Sequence, residues 1–243
     1  YMMYIYYPYS QYNMRNNALQ FSGTGYPYFI YQYPTSYTSS TYWSDIDHNA
    51  FYRTTSGTEY YYFGSTYSSL SAWKSGHSSR NQNSMYVDPE FDSDYNLHSY
   101  SQNLNGAATP LSHVTHDVDG DARDASTPDI GADEYTLFAT DVGARTLIAP
   151  LEGCGLTASE DIIIGIRNYG TSTLDASSNP VTVNVAVNTP NGPMNYSATM
   201  TSGTIAPGAT SAFTVTTSLD LTTSGPYAFN ATATCPGDGN SGN

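Results

Sequence analysis

Three aspartates at alternate positions, Asp117, Asp119 and Asp121, surround Gly120, with Asp124 close behind. Hard oxygen donors at i, i+2 and i+4 around a glycine are what a looped calcium site uses, so these three are candidate Ca²⁺ ligands. The twelve-residue EF-hand pattern is incomplete, because the position of its bidentate glutamate holds Pro128. The same carboxylates are equally suited to capping turns, accepting backbone N–H groups and pairing with Arg123. His113 and His116 neighbour this acidic turn, and an i, i+3 histidine pair on a loop is more often solvated than catalytic. Lyase chemistry needs a base near a neutralised uronate carboxylate, yet residues 1–135 offer only the scattered Arg15, Arg53, Lys74, Arg80 and Arg123. A glycosidase needs two carboxylates across one bond; Asp88, Glu90, Asp92 and Asp94 are too many and too close together to single out a pair. No Gly-x-Ser-x-Gly elbow, phosphate-binding Gly-Lys-Ser/Thr loop or Cys-x-x-Cys pair gives a serine hydrolase, nucleotide or zinc reading a start. Apart from Ca²⁺, no cofactor is expected.

A different chemistry belongs to the tyrosines. In the run from Tyr26 to Tyr33, alternate residues of a strand face opposite sides, so Tyr26, Tyr28, Tyr31 and Tyr33 offer aromatic rows for glycan contact or for docking a second copy of the protein. The plainer use of such rings is to fill and flank a packed core.

What must position these residues is a β-rich chain. Helix-favouring Lys, Arg, Glu and Leu are scarce, while Tyr, Thr, Ser, Val and Gly abound, which predicts many short strands and turns. Seventeen of the twenty-four tyrosines fall between Tyr1 and Tyr67, and twelve of the twenty-one acids between Asp88 and Asp141, so the composition splits the chain in two. In the first part, Asn16-Asn17-Ala18-Leu19-Gln20-Phe21 and His48-Asn49-Ala50-Phe51-Tyr52 echo one another. An asparagine ahead of an inward apolar alternation is what stacked β-coils use, because its amide can ladder with the counterpart one rung away. One short helix is expected at Ser69–Lys74, capped by Ser68 or Ser69, with Leu70 and Trp73 on one face and Gly76 as its stop, lidding the stack.

The second part carries strand-like runs at Val142–Ile148, Asp161–Arg167, Val181–Val187, Met194–Met200, Ala212–Thr217 and Tyr227–Thr234, separated by turn signals such as Asn168-Tyr-Gly170 and Pro207-Gly208. Every second residue from Val181 to Val187 is valine, the period of a sheet with one buried face, while Ile162-Ile163-Ile164 suits a central strand. Its length is close to the ~100 residues of an immunoglobulin-like sandwich.

Seven Lys+Arg against twenty-one Asp+Glu leave a net charge of −14, which excludes phosphate-neutralising nucleic-acid binding and attraction to an anionic membrane. No apolar run reaches the ~20 residues that span a bilayer, so no membrane insertion is expected. The start Tyr1-Met2-Met3-Tyr4 lacks the marks of a secretion signal, which suggests a piece or processed product of a longer protein. Cys154 and Cys235 lie in a Ser/Thr/Gly-rich, Lys-poor background typical of exported proteins, which makes them a disulfide candidate; two half-buried thiols are the alternative.

In order, a Leu-x-x-Trp helix, Val87-Asp-Pro-x-Phe91, Asp94-Tyr-x-Leu-His98, Asp117-x-Asp-Gly-Asp-x-Arg123 and Asp129-Ile-Gly-Ala-Asp-Glu-Tyr135 resemble the C-terminal end of right-handed parallel β-helix regions in large exported surface proteins of Bacteroidetes. Likewise Cys154-Gly-Leu-Thr, Ile164-x-Ile-x-Asn-Tyr-Gly170, Ile205-Ala-Pro-Gly-Ala-Thr210 and Pro236-Gly-Asp-x-Asn240 resemble the adhesion-type immunoglobulin-like (CARDB-like) domains that follow such helices. The Tyr-dense opening departs from the first pattern. The resemblance implies residues 1–138 as a β-helix end, residues 139–243 as an immunoglobulin-like sandwich, type IX export and a cell-surface location. The expected function is non-enzymatic, as part of a surface adhesin or extracellular filament contacting glycans or copies of itself. A polysaccharide lyase or glycoside hydrolase with its active groove upstream of Tyr1 is the alternative.

Overall fold

The computed structural model describes residues 2–6, 11–25, 28–33, 42–91 and 97–240. The protein is all-β, with one short helix among the described residues, and it divides into two compact units, Tyr1–Thr136 and Leu137–Asn243.

Unit 1 is built from short strands that pair in parallel with strands roughly thirty residues further on. Strands β1 (Met3–Tyr6), β4 (Tyr28–Tyr33) and β7 (Tyr60–Phe63) make one sheet, with Met3 opposite Ile30 and Ile30 opposite Tyr61; β8 (Thr66–Tyr67) closes it antiparallel. A second sheet pairs β2 (Tyr12–Arg15) with β5 (Trp43–Asp47), and a third stacks β3 (Ala18–Phe21), β6 (Ala50–Arg53) and β9 (Met85–Tyr86). Their inward rows form one core of Met14, Phe29, Ile30, Trp43, Ile46, Phe51, Tyr61 and Phe63. A register slip between Tyr28 and Ile30 lets the adjacent Phe29 and Ile30 both turn inward, as a bulge does.

The asparagine echo is a ladder. Asn49, fully buried, accepts at Oδ1 from the backbone N and Nδ2 of Asn17 (3.0 and 2.9 Å), while its own Nδ2 donates to the carbonyls of Met14 and Asp47. The next rung substitutes a serine: Ser84 Oγ accepts from the Asn49 N–H at 3.0 Å. Asn16 and His48, one position earlier, both take positive φ (62° and 52°), so each strand pair enters through the same sharp corner.

Helix α1 (Leu70–Gly76) starts at Ser69, whose hydroxyl accepts from the Ala72 N–H, and the Leu70 N–H donates to Glu59 Oε1. Trp73, with no exposed surface, stacks on Tyr61 at 5.0 Å and meets Phe51 and Phe63, joining the same core. Later residues of unit 1 build a second, smaller core on the other side of the third sheet. Leu104, Ala108 and Ile130 pack on Ala18, Ala50 and Met85, which stand in register on β3, β6 and β9, opposite in direction to Leu19 and Phe51. Ile130, from the Asp129–Tyr135 segment, is thus part of this small core beside the third sheet. Small side chains at residues 18 and 50 allow this: a Cβ placed on Gly131 would already lie 3.7 Å from that of Ala18.

Unit 2 packs two antiparallel sheets face to face. One has the order β10 (Val142–Ala149), β11 (Glu160–Asn168), β16 (Thr210–Leu219); the other runs β14 (Gly192–Met200), β13 (Val181–Thr189), β17 (Ala228–Thr234). The pair β12 (Leu174–Asp175) and β15 (Thr204–Ile205) stands beside them. Val181, Val183, Val185 and Val187 are all buried against Ile162, Ile164 and Ile166 of the central β11, as their periodicities require. Asn168 Nδ2 donates to the carbonyls of Ser172 and Ile205, and its Oδ1 accepts from the Gly170 N–H, pinning the Asn-Tyr-Gly turn.

Candidate functional site

The first sheet places tyrosines from successive strands above one another on the face turned away from the core. Tyr4, Tyr31 and Tyr62 stand in register on β1, β4 and β7 and stack at 5.4 Å (19° between planes) and 4.5 Å (16°). Tyr28 and Tyr60 form a second tilted pair at 5.5 Å, and Tyr28 meets Tyr31 edge-on at 5.3 Å. Tyr4 and Tyr33 are exposed, whereas Tyr28, Tyr31, Tyr60 and Tyr62 are half-buried. Tyr26 lies outside the described residues. The surface is thus a column of stacked phenol rings, exposed at Tyr4 and half-buried at Tyr31 and Tyr62.

In the aspartate turn one carboxylate organises the backbone around it. Asp117 Oδ1 accepts from the N–H groups of Asp119 (3.0 Å) and Asp121 (2.8 Å), and its Oδ2 accepts from the Glu134 N–H (3.0 Å). Burial alone would raise its pKa, but these backbone donors hold the carboxyl below the ordinary aspartate range. Asp119 and Asp121 are exposed, and among the described residues no group of three or more His, Cys, Asp or Glu side chains is arranged to hold a metal ion. Asp117, the first of the three expected ligands Asp117, Asp119 and Asp121, thus serves the turn's own backbone. His113 and His116 are exposed beside it.

The neighbouring acids serve the closing segment. Asp129, almost fully buried, accepts from the N–H groups of Gly106 and Tyr135, and burial pushes its pKa up. Arg123 donates to the carbonyls of Asp129 and Gly131 and pairs with Glu134 at 3.3 Å. The other cations of unit 1 also hold local structure: Arg53 donates to the carbonyls of Gly25 and Thr58, Lys74 to that of Gln82, and Arg15 pairs with Asp45 at 3.5 Å. Of the carboxylates considered for glycoside cleavage, Asp88 accepts from the Glu90 N–H, while Asp92 and Asp94 lie outside the described residues.

One acid–base arrangement has no signature in the sequence. His98 Nδ1 lies 2.6 Å from Oδ2 of the buried Asp133, beside the rings of Tyr100 and Tyr135. Burial raises the Asp133 pKa and the His98 partner opposes that rise. Thirty-five positions separate the two, so only the fold brings them together.

Cys154 is an exposed free thiol and Cys235 a half-buried one, so the expected disulfide is not present. Burial, with Asp238 and Asp141 nearby, pushes the Cys235 thiol up to about 11. No helix among the described residues is long and apolar enough to cross a membrane.

Comparison with family models, with curated proteins and with solved structures returned no match.

Proposed function

We propose that this chain is a non-enzymatic part of a large extracellular surface adhesin or filament protein. In this reading Tyr1–Thr136 is the end of a right-handed parallel β-helix, a rigid contact surface, and Leu137–Asn243 is an immunoglobulin-like spacer. The observation that carries it is the in-register column Tyr4–Tyr31–Tyr62 on the outer face of parallel-paired strands. Stacking fixes each ring at little further entropic cost, so the column is preorganised for a partner. Its apolar ring surface suits the C–H faces of a polysaccharide, and its uncharged character suits a neighbouring copy. An acidic chain with few lysines remains dispersed between such contacts.

A glycan array probed with the isolated chain, with and without calcium, tests the reading. Binding should survive chelation and fall by about tenfold or more in Tyr31→Ala and Tyr62→Ala, the scale of losing a stacked aromatic contact. Absence of both glycan binding and concentration-dependent self-association would overturn it. The enzyme alternative is favoured by one observation, the His98–Asp133 pair, where a buried carboxylate oxygen lies 2.6 Å from an imidazole nitrogen. Turnover of a uronate polymer that disappears in His98→Ala would establish that reading in place of the first.

A further inference from the structure

We infer that unit 2 takes an extended peptide strand along the free edge of β17, and that this peptide is apolar at alternate residues and basic at its ends. Among the described residues, β17 pairs with β13 on one side only. Every second residue of such an edge turns its N–H and C=O away from the sheet, a template for another strand. The other outer strands of the two sheets carry the features that discourage this. β10 has two register slips against β11 and carries the exposed Arg145, the β11–β16 ladder slips twice, and β14 holds Pro193. β17 has seven residues, an unbroken register from Ala228 to Thr234, no charge and no proline.

Beside the start of that edge lies a groove of about 670 Å³ lined by Leu147 of β10 and Phe229 of β17, with Leu151, Leu156, Leu221 and Tyr227 around it. Leu151, 73% exposed, adds apolar surface at the groove. Groove and edge select different parts of one ligand. The edge requires backbone donors and acceptors at strand spacing, and the groove requires apolar side chains on one face of that strand.

Charge selects the ends. Glu152 lines the groove and exposed Asp220 stands just before Leu221, while Asp238 follows β17 at its other end. Residues 137–243 contain seven acids against two arginines, one of which, Arg167, lies over the Tyr169 ring. A strand with cationic termini meets carboxylates at both ends of the edge, whereas one with acidic termini is repelled at both.

The probe is a fluorescein-labelled Lys-Lys-Thr-Val-Thr-Val-Thr-Val-Thr-Lys-Lys peptide, followed by anisotropy with the full chain. Saturable binding that weakens as salt rises is expected, together with slower hydrogen exchange of the β17 amides. The doubly substituted Asn230→Lys/Thr232→Lys chain, altered only at exposed positions, should lose about tenfold or more in affinity. Ser197→Lys/Thr199→Lys on β14 adds the same charge to the opposite edge of the same sheet and should change affinity far less; both pairs are checked for unaltered thermal melting. No binding, equal losses in the two pairs, exchange protection outside β17, or equal binding of a glutamate-ended peptide would each overturn the inference. So would β17 protection that grows with the concentration of the chain alone, which would give the edge to a second copy.

Discussion

Replacing Asn49 by alanine should be among the most damaging single changes in unit 1. Its side chain makes four hydrogen bonds and has no exposed surface, so truncation leaves the Met14 carbonyl without this partner in the interior and the Asn17 backbone N–H and Asp47 carbonyl without it at half-buried positions. A buried group left without its partner costs about 1–3 kcal/mol, and such losses within one network fall short of their sum. A net loss of about 4 kcal/mol follows, and with a urea slope of about 2 kcal/mol per molar the midpoint drops by about 2 M. Asn17→Ala should cost less than half as much, because Asn17 is half-buried and Asn49 retains its contacts to Met14 and Asp47. Tryptophan fluorescence is the assay, since both tryptophans, Trp43 and Trp73, are buried in unit 1 and leave unit 2 silent. A loss below about 1 kcal/mol for Asn49→Ala, or equal losses for the two variants, would refute the ladder as a source of stability.

Two further outcomes follow from the buried groups. Burial raises the Glu59 pKa, against the hydrogen bonds it accepts from the Tyr61 hydroxyl and the Leu70 N–H. A raised carboxyl favours the fold while protonated, so its contribution is complete below its ordinary value and lost as pH rises through the folded one; Glu59→Gln should flatten the urea-midpoint profile in that window, and an unchanged slope would count against it. Under native conditions iodoacetamide should label Cys154 quickly and Cys235 much more slowly, read by peptide mass spectrometry, because the second thiol is half-buried and resists ionisation. Equal rates would contradict both placements.

The sequence disclosed most where one local rule decides the answer. The valine alternation from Val181 to Val187 and the isoleucine run from Ile162 placed the two central strands of unit 2, since a period of two has only one buried solution. The Asn-Ala echo located β3 and β6 because an amide ladder constrains residue type at one position per turn of chain. The third rung escaped the repeat, as Ser84 replaces asparagine there and Met85 stands opposite Ala50 after a longer excursion. The aspartate turn had no single reading in the sequence, because alternate carboxylates serve cation ligation and backbone capture alike; the structure shows Asp117 in backbone capture. The His98–Asp133 pair and the flank contacts of Ile130 depend on segments distant in sequence, for which no spacing rule exists.

The small core beside the third sheet also bears on how the chain comes into being. Asn16 exchanges two hydrogen bonds with Thr109, ninety-three positions later, and its carbonyl accepts from the Gly131 N–H. During vectorial synthesis the earliest strands must therefore wait, with one flank uncovered, until more than a hundred further residues have left the ribosome. Closing so long a loop precedes any reward from the contacts it permits, which places completion of unit 1 among slow folding events. Its alanine row at residues 18 and 50 is, over that interval, the surface a chaperone would meet first.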